Sequence, residues 1–272
     1  MKILIAADME GVAGVVHWDH VAPGHSEYAR FRRLMTDEVN AAIRGACEAG
    51  ADEIIVSDGH SHGRNILVEE LDSRARLSSG DAAPFAMVQG VDSGVDAAMF
   101  VGYHARAGAQ NAILDHTWSS SRVANVWLNG NLVGETGVNA AVCGHFGVPV
   151  ILVTGDQTVC AEATALLDQI EVAVVKQASG RMAAECPPPE VAQQSIYEAA
   201  VRAVRRLQVG RVPEPLRLSP PITLLIELVS SDMADRAALL PGVRRVKGRR
   251  IEFTAEDMPT AYRALQVIVT LA

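Results

Sequence analysis

The strongest constraint on the fold of this chain is a set of short, unbroken apolar runs: "KILIAA" (2–7), "EIIV" (53–56), "AAMFV" (97–101), "VPVILVT" (148–154) and "EVAVVK" (171–176). A strand with one wet face alternates apolar and polar residues. A run without alternation fits a strand covered on both faces, as in a parallel sheet. Between the first two runs Tyr28, Phe31, Met35, Val39, Ala42 and Ala46 recur at spacings of three and four. That periodicity predicts a long amphipathic helix, with Ser26 as its N-cap and Gly50 closing it. Strand, helix, strand in this order calls for parallel pairing through crossover helices. The expected fold class is therefore α/β: a mainly parallel sheet with helices on both faces and the site at the carboxyl ends of the strands.

The second half is more mixed. Asn129-Gly130 inside "VANVWLNGNLVGE" (123–135) is a hairpin signal. A small-residue helix is expected over 137–147, another from "GDQTVCAEATALL" (155–167), and a third from "PPP" (187–189) to about Leu207. "VPEPLRLSPP" (212–221) reads as a linker. Beyond it a strand "ITLLIEL", a helix "DMADRAALL", a hairpin around Gly248 and a closing helix from Glu256 suggest a smaller α+β subdomain. The expected division is a large α/β domain over 1–212 carrying the site, and a small C-terminal one over 213–272.

The strand ends share a chemistry. The first run stops at Asp8-Met9-Glu10, the second at Asp58-Gly59-His60 and the third at His104. In a parallel sheet all carboxyl ends lie along one edge, where ligand sites form. Asp8, Glu10, His60 and His104 can therefore converge. Asp8 and Glu10, two apart on an extended backbone, are expected to point to the same side. Carboxylates and imidazoles crowded together need a cation, and the mixed donor set suits zinc, manganese or cobalt better than calcium or magnesium.

Other residues have plainer readings. Asp58 before Gly59 is turn chemistry, or a hydrogen bond to a histidine ligand. His17, His20, His25, His62 and His145 lie off the strand ends and read as solvated or capping groups. On residues alone, His116 in "ILDHTWSSS" is a loop histidine bonded to Asp115 or a hydroxyl. Glu135 is an acid favoured by the dipole at a helix N-terminus.

Charge and cysteine usage exclude several partners. The net charge is −8, and no basic stripe with interleaved aromatics occurs, so nucleic acid is not an expected partner. "GVRRVKGRR" (242–250) reads as a hairpin with solvated charges. No segment reaches the roughly 20 apolar residues that cross a bilayer. Four scattered cysteines without a CxxC pair, and an N-terminal apolar run too short for a signal peptide, point to reduced thiols in the cytoplasm.

The motifs also carry a family likeness. "DMEGVAG" (8–14), "SDGHS" (57–61), "GYHARA" (102–107), "DHTWS" (115–119) and "NGNLVGETGVNA" (129–140) resemble, in the same order, those of the M55 family of metallopeptidases. The likeness covers nearly the whole chain, with a departure at "GAQNAIL" (108–114). It implies a zinc aminopeptidase with a two-metal site. Asp8, Glu10, His60, His104 and Glu135 would be the ligands, Asp8 the bridge, and His116 the catalytic histidine.

The resemblance further implies a ring-shaped homodecamer and short peptides with N-terminal D-residues, such as D-Ala-D-Ala, as substrates. Two metals in such a site polarise a carbonyl and lower the pKa of a bound water from 15.7 toward about 7. The rival readings are an L-specific aminopeptidase or other amide hydrolase on the same site, a two-metal phosphoesterase, and a non-catalytic metal-binding protein.

Overall fold

The computed structural model describes residues 1–272. The chain runs β1 (Lys2–Ala7), α1 (Trp18–Val21), α2 (Tyr28–Glu48), β2 (Glu53–Asp58), β3 (Ala75–Ser78), β4 (Ala97–Val101), β5 (Val123–Leu128), β6 (Asn131–Val133), α3 (Glu135–His145) and β7 (Val150–Asp156). It continues with α4 (Gln157–Leu166), β8 (Glu171–Gly180), β9 (Ala183–Glu185), α5 (Pro189–Gln208), β10 (Ile222–Leu228), α6 (Ser231–Ala237), β11 (Val243–Arg245), β12 (Arg250–Ala255) and α7 (Met258–Leu271).

The central sheet has the order β3-β2-β1-β4-β7-β8-β9. Its pairings are parallel except for the terminal β8–β9 ribbon. As expected of unbroken apolar runs, both faces are covered. Ile3, Ile5 and Ala7 of β1 pack into a core with Phe31, Met35 and Val39 of α2 and Ile196 and Ala199 of α5. Leu4 and Ala6, pointing the other way, join a second core with α3, α4 and α7.

That second core includes the inner face of an antiparallel sheet of order β11-β12-β10-β5-β6. Its alternating burial along Ile222–Leu228 is that of a strand with one covered face. β10 pairs with β5 in antiparallel register, so residues on either side of the 212/213 division share one sheet.

Two local expectations differ from the structure, and one segment adds a strand. Ser26 does not cap α2; the helix starts after Glu27 with no side-chain cap hydrogen bond. The segment between "EIIVSD" and "AAMFV" contains a real edge strand, β3, whose short, half-exposed pattern gave no periodic signal. The run "EVAVVK" does not end at Lys176 but continues to Gly180.

Candidate metal centre

β1 ends at Ala7, in register with Asp58 of β2 and Val101 of β4. Asp8 is the first residue past the strand, and its N–H still donates to the Val101 carbonyl at 2.8 Å. Glu10 is not on extended backbone, as the i, i+2 argument supposed, but in the turn that follows. That turn lies against the one after β4. Gly11 N–H donates to Gly102 O at 2.8 Å, and a Cβ on Gly11 would collide with Tyr103 O. Gly102 itself has φ +74°, and a Cβ there would strike Asp8 O. Two glycines thus let the turns touch, bringing the first strand's carboxylates to His104 three residues beyond β4.

The sequence-derived candidates meet at this edge. Asp8, Glu10, His60, His104 and Glu135 are all buried. His60 Nε2–H donates to the Val21 carbonyl at 2.8 Å. Its Nδ1 faces Asp8 Oδ1 at 3.3 Å and Glu10 Oε2 at 3.0 Å. His104 is mounted the other way round: Nδ1–H donates to Ala105 O at 3.0 Å, and Nε2 lies 3.4 Å from both Asp8 Oδ2 and Glu135 Oε1. Each imidazole is oriented by a backbone carbonyl, which fixes the tautomer so that the lone pair faces carboxylate oxygen.

Such an arrangement calls for positive charge. Asp8 Oδ2, Glu10 Oε2 and His104 Nε2 are buried with no hydrogen-bond partner. The donor atoms of Asp8, Glu10 and His104 lie within 4.8 Å of one another, as do those of His104, His116 and Glu135. These spacings and this oxygen–nitrogen set fit a divalent metal such as zinc.

Without one, protons supply the charge. Burial alone would lower the His60 and His104 imidazolium groups, but the carboxylates of Glu10 and Asp8, and of Glu135 and Asp8, override it and hold both well above the usual histidine range. Burial works to raise Asp8, yet the His104 and His60 imidazoles beside it hold it well below the carboxylate range. Glu135 is lowered in the same way by His104.

Glu135 and His116 complete the far wall. Glu135 opens α3, after the β5–β6 hairpin, and its Oε1 accepts from Trp118 N–H at 2.7 Å. His116 stacks on His104 with ring centroids 4.0 Å apart and places Nε2 3.8 Å from Glu135 Oε1. Its Nδ1–H donates not to Asp115 but to Leu114 O at 2.9 Å. Arg181 in the β8–β9 turn takes Asp115 instead, Nε to Oδ1 at 2.8 Å, and pins the loop. Leu114 and Trp118, bracketing the histidine, have φ +48° and +64°, unfavourable for side chains of their size.

The other candidates stay outside. Asp58 carries turn chemistry: it accepts from the N–H groups of Asn65 and Ile66 and from the Asn65 amide, and does not touch the His60 ring. His62 is exposed and pairs with Asp81 at 2.8 Å. His20 stacks on Phe31, and His17 caps α1.

One important residue gave no signal in the sequence. Lys176, fully buried in β8, donates its ammonium protons to the carbonyls of Glu10 at 2.6 Å, Val12 at 2.9 Å and Val15 at 2.8 Å. Burial pushes it down to about 8. Glu38 of α2 holds the same loop by accepting from Ala13 N–H at 2.8 Å, and burial pushes its carboxyl up to about 7. A lysine closing an apolar run looks like an exposed strand end; only the continuation of β8 shows it to be internal.

The donor groups open into a cavity of about 250 Å³ lined by Asp8, Glu10, His60, His116, Trp118 and Glu135 among others, with no lysine or arginine.

The chain is similar to known proteins over its whole length. The model of the M55 peptidase family, described as D-aminopeptidase, matches residues 1–267. The D-aminopeptidase of Bacillus subtilis (strain 168) is 37% identical over 273 residues, covering 100% of this chain and 98% of the relative. The structure of the Zn-dependent D-aminopeptidase DppA from Bacillus subtilis, described as a self-compartmentalizing protease, superposes with a TM-score of 0.95 at 36% identity. That match covers 100% of this chain and 97% of the other.

Proposed function

This chain belongs to the M55 family of D-aminopeptidases, and from that membership we propose that it is a zinc-dependent aminopeptidase releasing N-terminal D-residues from short peptides, D-Ala-D-Ala among them. The observation that carries the reading is the place of Asp8 between two histidines: Oδ1 lies against His60 Nδ1, which also meets Glu10, and Oδ2 lies against His104 Nε2, which also meets Glu135. Asp8, Glu10, His60, His104 and Glu135 would hold the zinc pair, Asp8 being the residue placed to serve both ions.

When bound, the zinc pair supplies Lewis-acid polarisation of the scissile carbonyl and a water of lowered pKa. The chain supplies the rest. His116 keeps Nδ1–H on Leu114 O, so proton traffic passes through Nε2, the atom facing the centre. As imidazolium it hands that proton to the leaving amine or donates to the developing oxyanion. Glu135 Oε1 stabilises the charged ring, and the edge of Trp18, with centroids 5.5 Å apart, fixes its plane. The carboxylate-rich wall suits a free substrate ammonium, which accounts for attack at the N-terminus.

For the assembly we take a ring-shaped homodecamer, supported by the self-compartmentalizing description of the structural relative. For the compartment we take the cytoplasm, supported by four cysteines without a disulfide. No helix is long and apolar enough to cross a membrane.

The test is elemental analysis of purified protein with hydrolysis of D-Ala- and L-Ala-p-nitroanilide before and after chelation. Expected are about two zinc ions per chain, preference for the D-substrate, loss of activity on chelation and recovery with zinc. Full activity in metal-stripped protein rejects the reading.

A further inference from the structure

The metal cavity shares a wall with a larger one. Gly59, Ser61, Ala86, Met87 and Trp118 line both, and the second, of about 870 Å³, runs out between the loop around Gly80 and the outer face of α7. Its wall carries two arginines, Arg122 and Arg263. Elsewhere on the molecule arginines such as Arg33, Arg181 and Arg250 are paired with carboxylates.

These two are not. Arg122 is half-buried and spends one N–H on the Val269 carbonyl at 2.8 Å, which holds the guanidinium in place with its other donors free. Arg263 makes only a 3.4 Å contact with Thr260 Oγ1. The acids on the same wall are already committed, Asp58 to Asn65 and Ile66, Asp81 to His62. A cleft in which the anions are satisfied and the cations are not is shaped for an anionic ligand.

The chain path relates this cleft to the chemistry. His116 and Arg122 are joined by one short loop that turns back on itself, with Arg122 N–H donating to Ser119 O at 3.3 Å and Val123 N–H to the same oxygen at 3.0 Å. Trp118, in the middle, touches Glu135 through its backbone and lines both cavities. The anion subsite therefore adjoins the metal cavity, and each extended residue of a ligand adds only about 3.3–3.6 Å of reach.

We infer that Arg122, assisted by Arg263, receives the C-terminal carboxylate of a short zwitterionic peptide whose N-terminal ammonium end lies in the carboxylate-rich metal cavity. The inference rests on the aminopeptidase reading and sharpens it: a short free peptide is recognised at both ends. A longer or C-terminally blocked peptide presents no carboxylate at the required place.

The test compares D-Ala-D-Ala and D-Ala-D-Ala-amide on zinc-loaded wild type, Arg122→Gln, Arg122→Lys and Arg263→Gln. Calorimetry with a non-hydrolysable reduced-amide isostere of the dipeptide, as acid and as amide, runs in parallel. Wild type is expected to favour the acid over the amide by about 10- to 100-fold in both kcat/KM and affinity, the strength of a charge-assisted contact. Arg122→Gln collapses that ratio toward one through KM, Arg122→Lys restores part of it, and Arg263→Gln, being exposed, lowers it only about 2- to 3-fold.

Equal treatment of acid and amide by the wild type, or an Arg122→Gln variant that loses both in proportion with the ratio intact, overturns the subsite. A wild type that binds the acid isostere selectively but cleaves neither peptide supports the subsite and rejects the aminopeptidase reading instead.

Discussion

On the Oδ1 side of Asp8 the donors come from the ends of adjacent parallel strands. His60 follows β2 by two residues, and the Glu10 turn is fastened from behind by Lys176 and Glu38. On the Oδ2 side they come from farther apart: His104 from the turn after β4, Glu135 from the first turn of α3, and His116 from a loop whose neighbours have positive φ. The first side is a rigid cradle that the sheet makes almost by itself. The second is assembled where the central sheet meets the antiparallel one, and it carries His116 stacked on the fully buried His104. On the proposed reading, holding charge and moving protons fall on opposite sides of a single carboxylate.

The change expected to abolish this distinction is Asp8→Asn, which keeps the shape but weakens both sides at once. Zinc content should fall below about one ion per chain, and kcat/KM by about 10³-fold or more. Retention of two ions, measured by elemental analysis, would mean that the two sides do not share Asp8.

A subtler change tests the second side alone. His116→Ala should leave zinc content as in wild type while lowering kcat by about 10²- to 10⁴-fold, the usual range for a lost general acid–base. A drop to one ion would make His116 a ligand instead, a role that its place in the His104–Glu135 group also allows.

The same division separates what could be read from the sequence. Asp8, Glu10, His60 and His104 were visible because unbroken apolar runs forecast parallel strands, and parallel strands share a carboxyl edge. The four residues do meet at that edge, but Glu10 reaches it from a turn that two glycine contacts press against its neighbour, not from extended backbone. Glu135 and His116 had no such signal. Their approach depends on β5 and β6 leaving the central sheet to pair with β10, a long-range pairing that no local pattern encodes. They were named through family likeness alone. Lys176 was missed because its role is defined by three carbonyls more than 160 residues away in sequence. Arg122 was missed because an arginine before a strand looks like any solvated one.

The smallest expected effect concerns the fastening of the first side. Glu38 is buried, with Oε1 on Ala13 N–H and Oε2 unpaired. Burial raises its pKa from 4.5 to about 7, against the opposing influence of the Ala13 hydrogen bond and Lys176. The folded protein therefore binds this proton more tightly than the unfolded chain. The associated stability is fully present below the unfolded pKa of 4.5, declines as pH rises, and is gone above about 7. Glu38→Gln mimics the neutral acid and cannot ionise, so it should cost little at pH 5–6. By pH 8 it should melt higher than wild type by about 2–4 °C, the equivalent of roughly one kcal/mol in a chain of this size. The comparison requires metal-stripped protein, so that zinc retention does not add its own pH dependence. Melting curves that stay parallel from pH 5 to 8 would show that Glu38 remains ionised in the fold. The Glu10 loop would then be held between two opposite charges, with no neutral acid at the Ala13 amide.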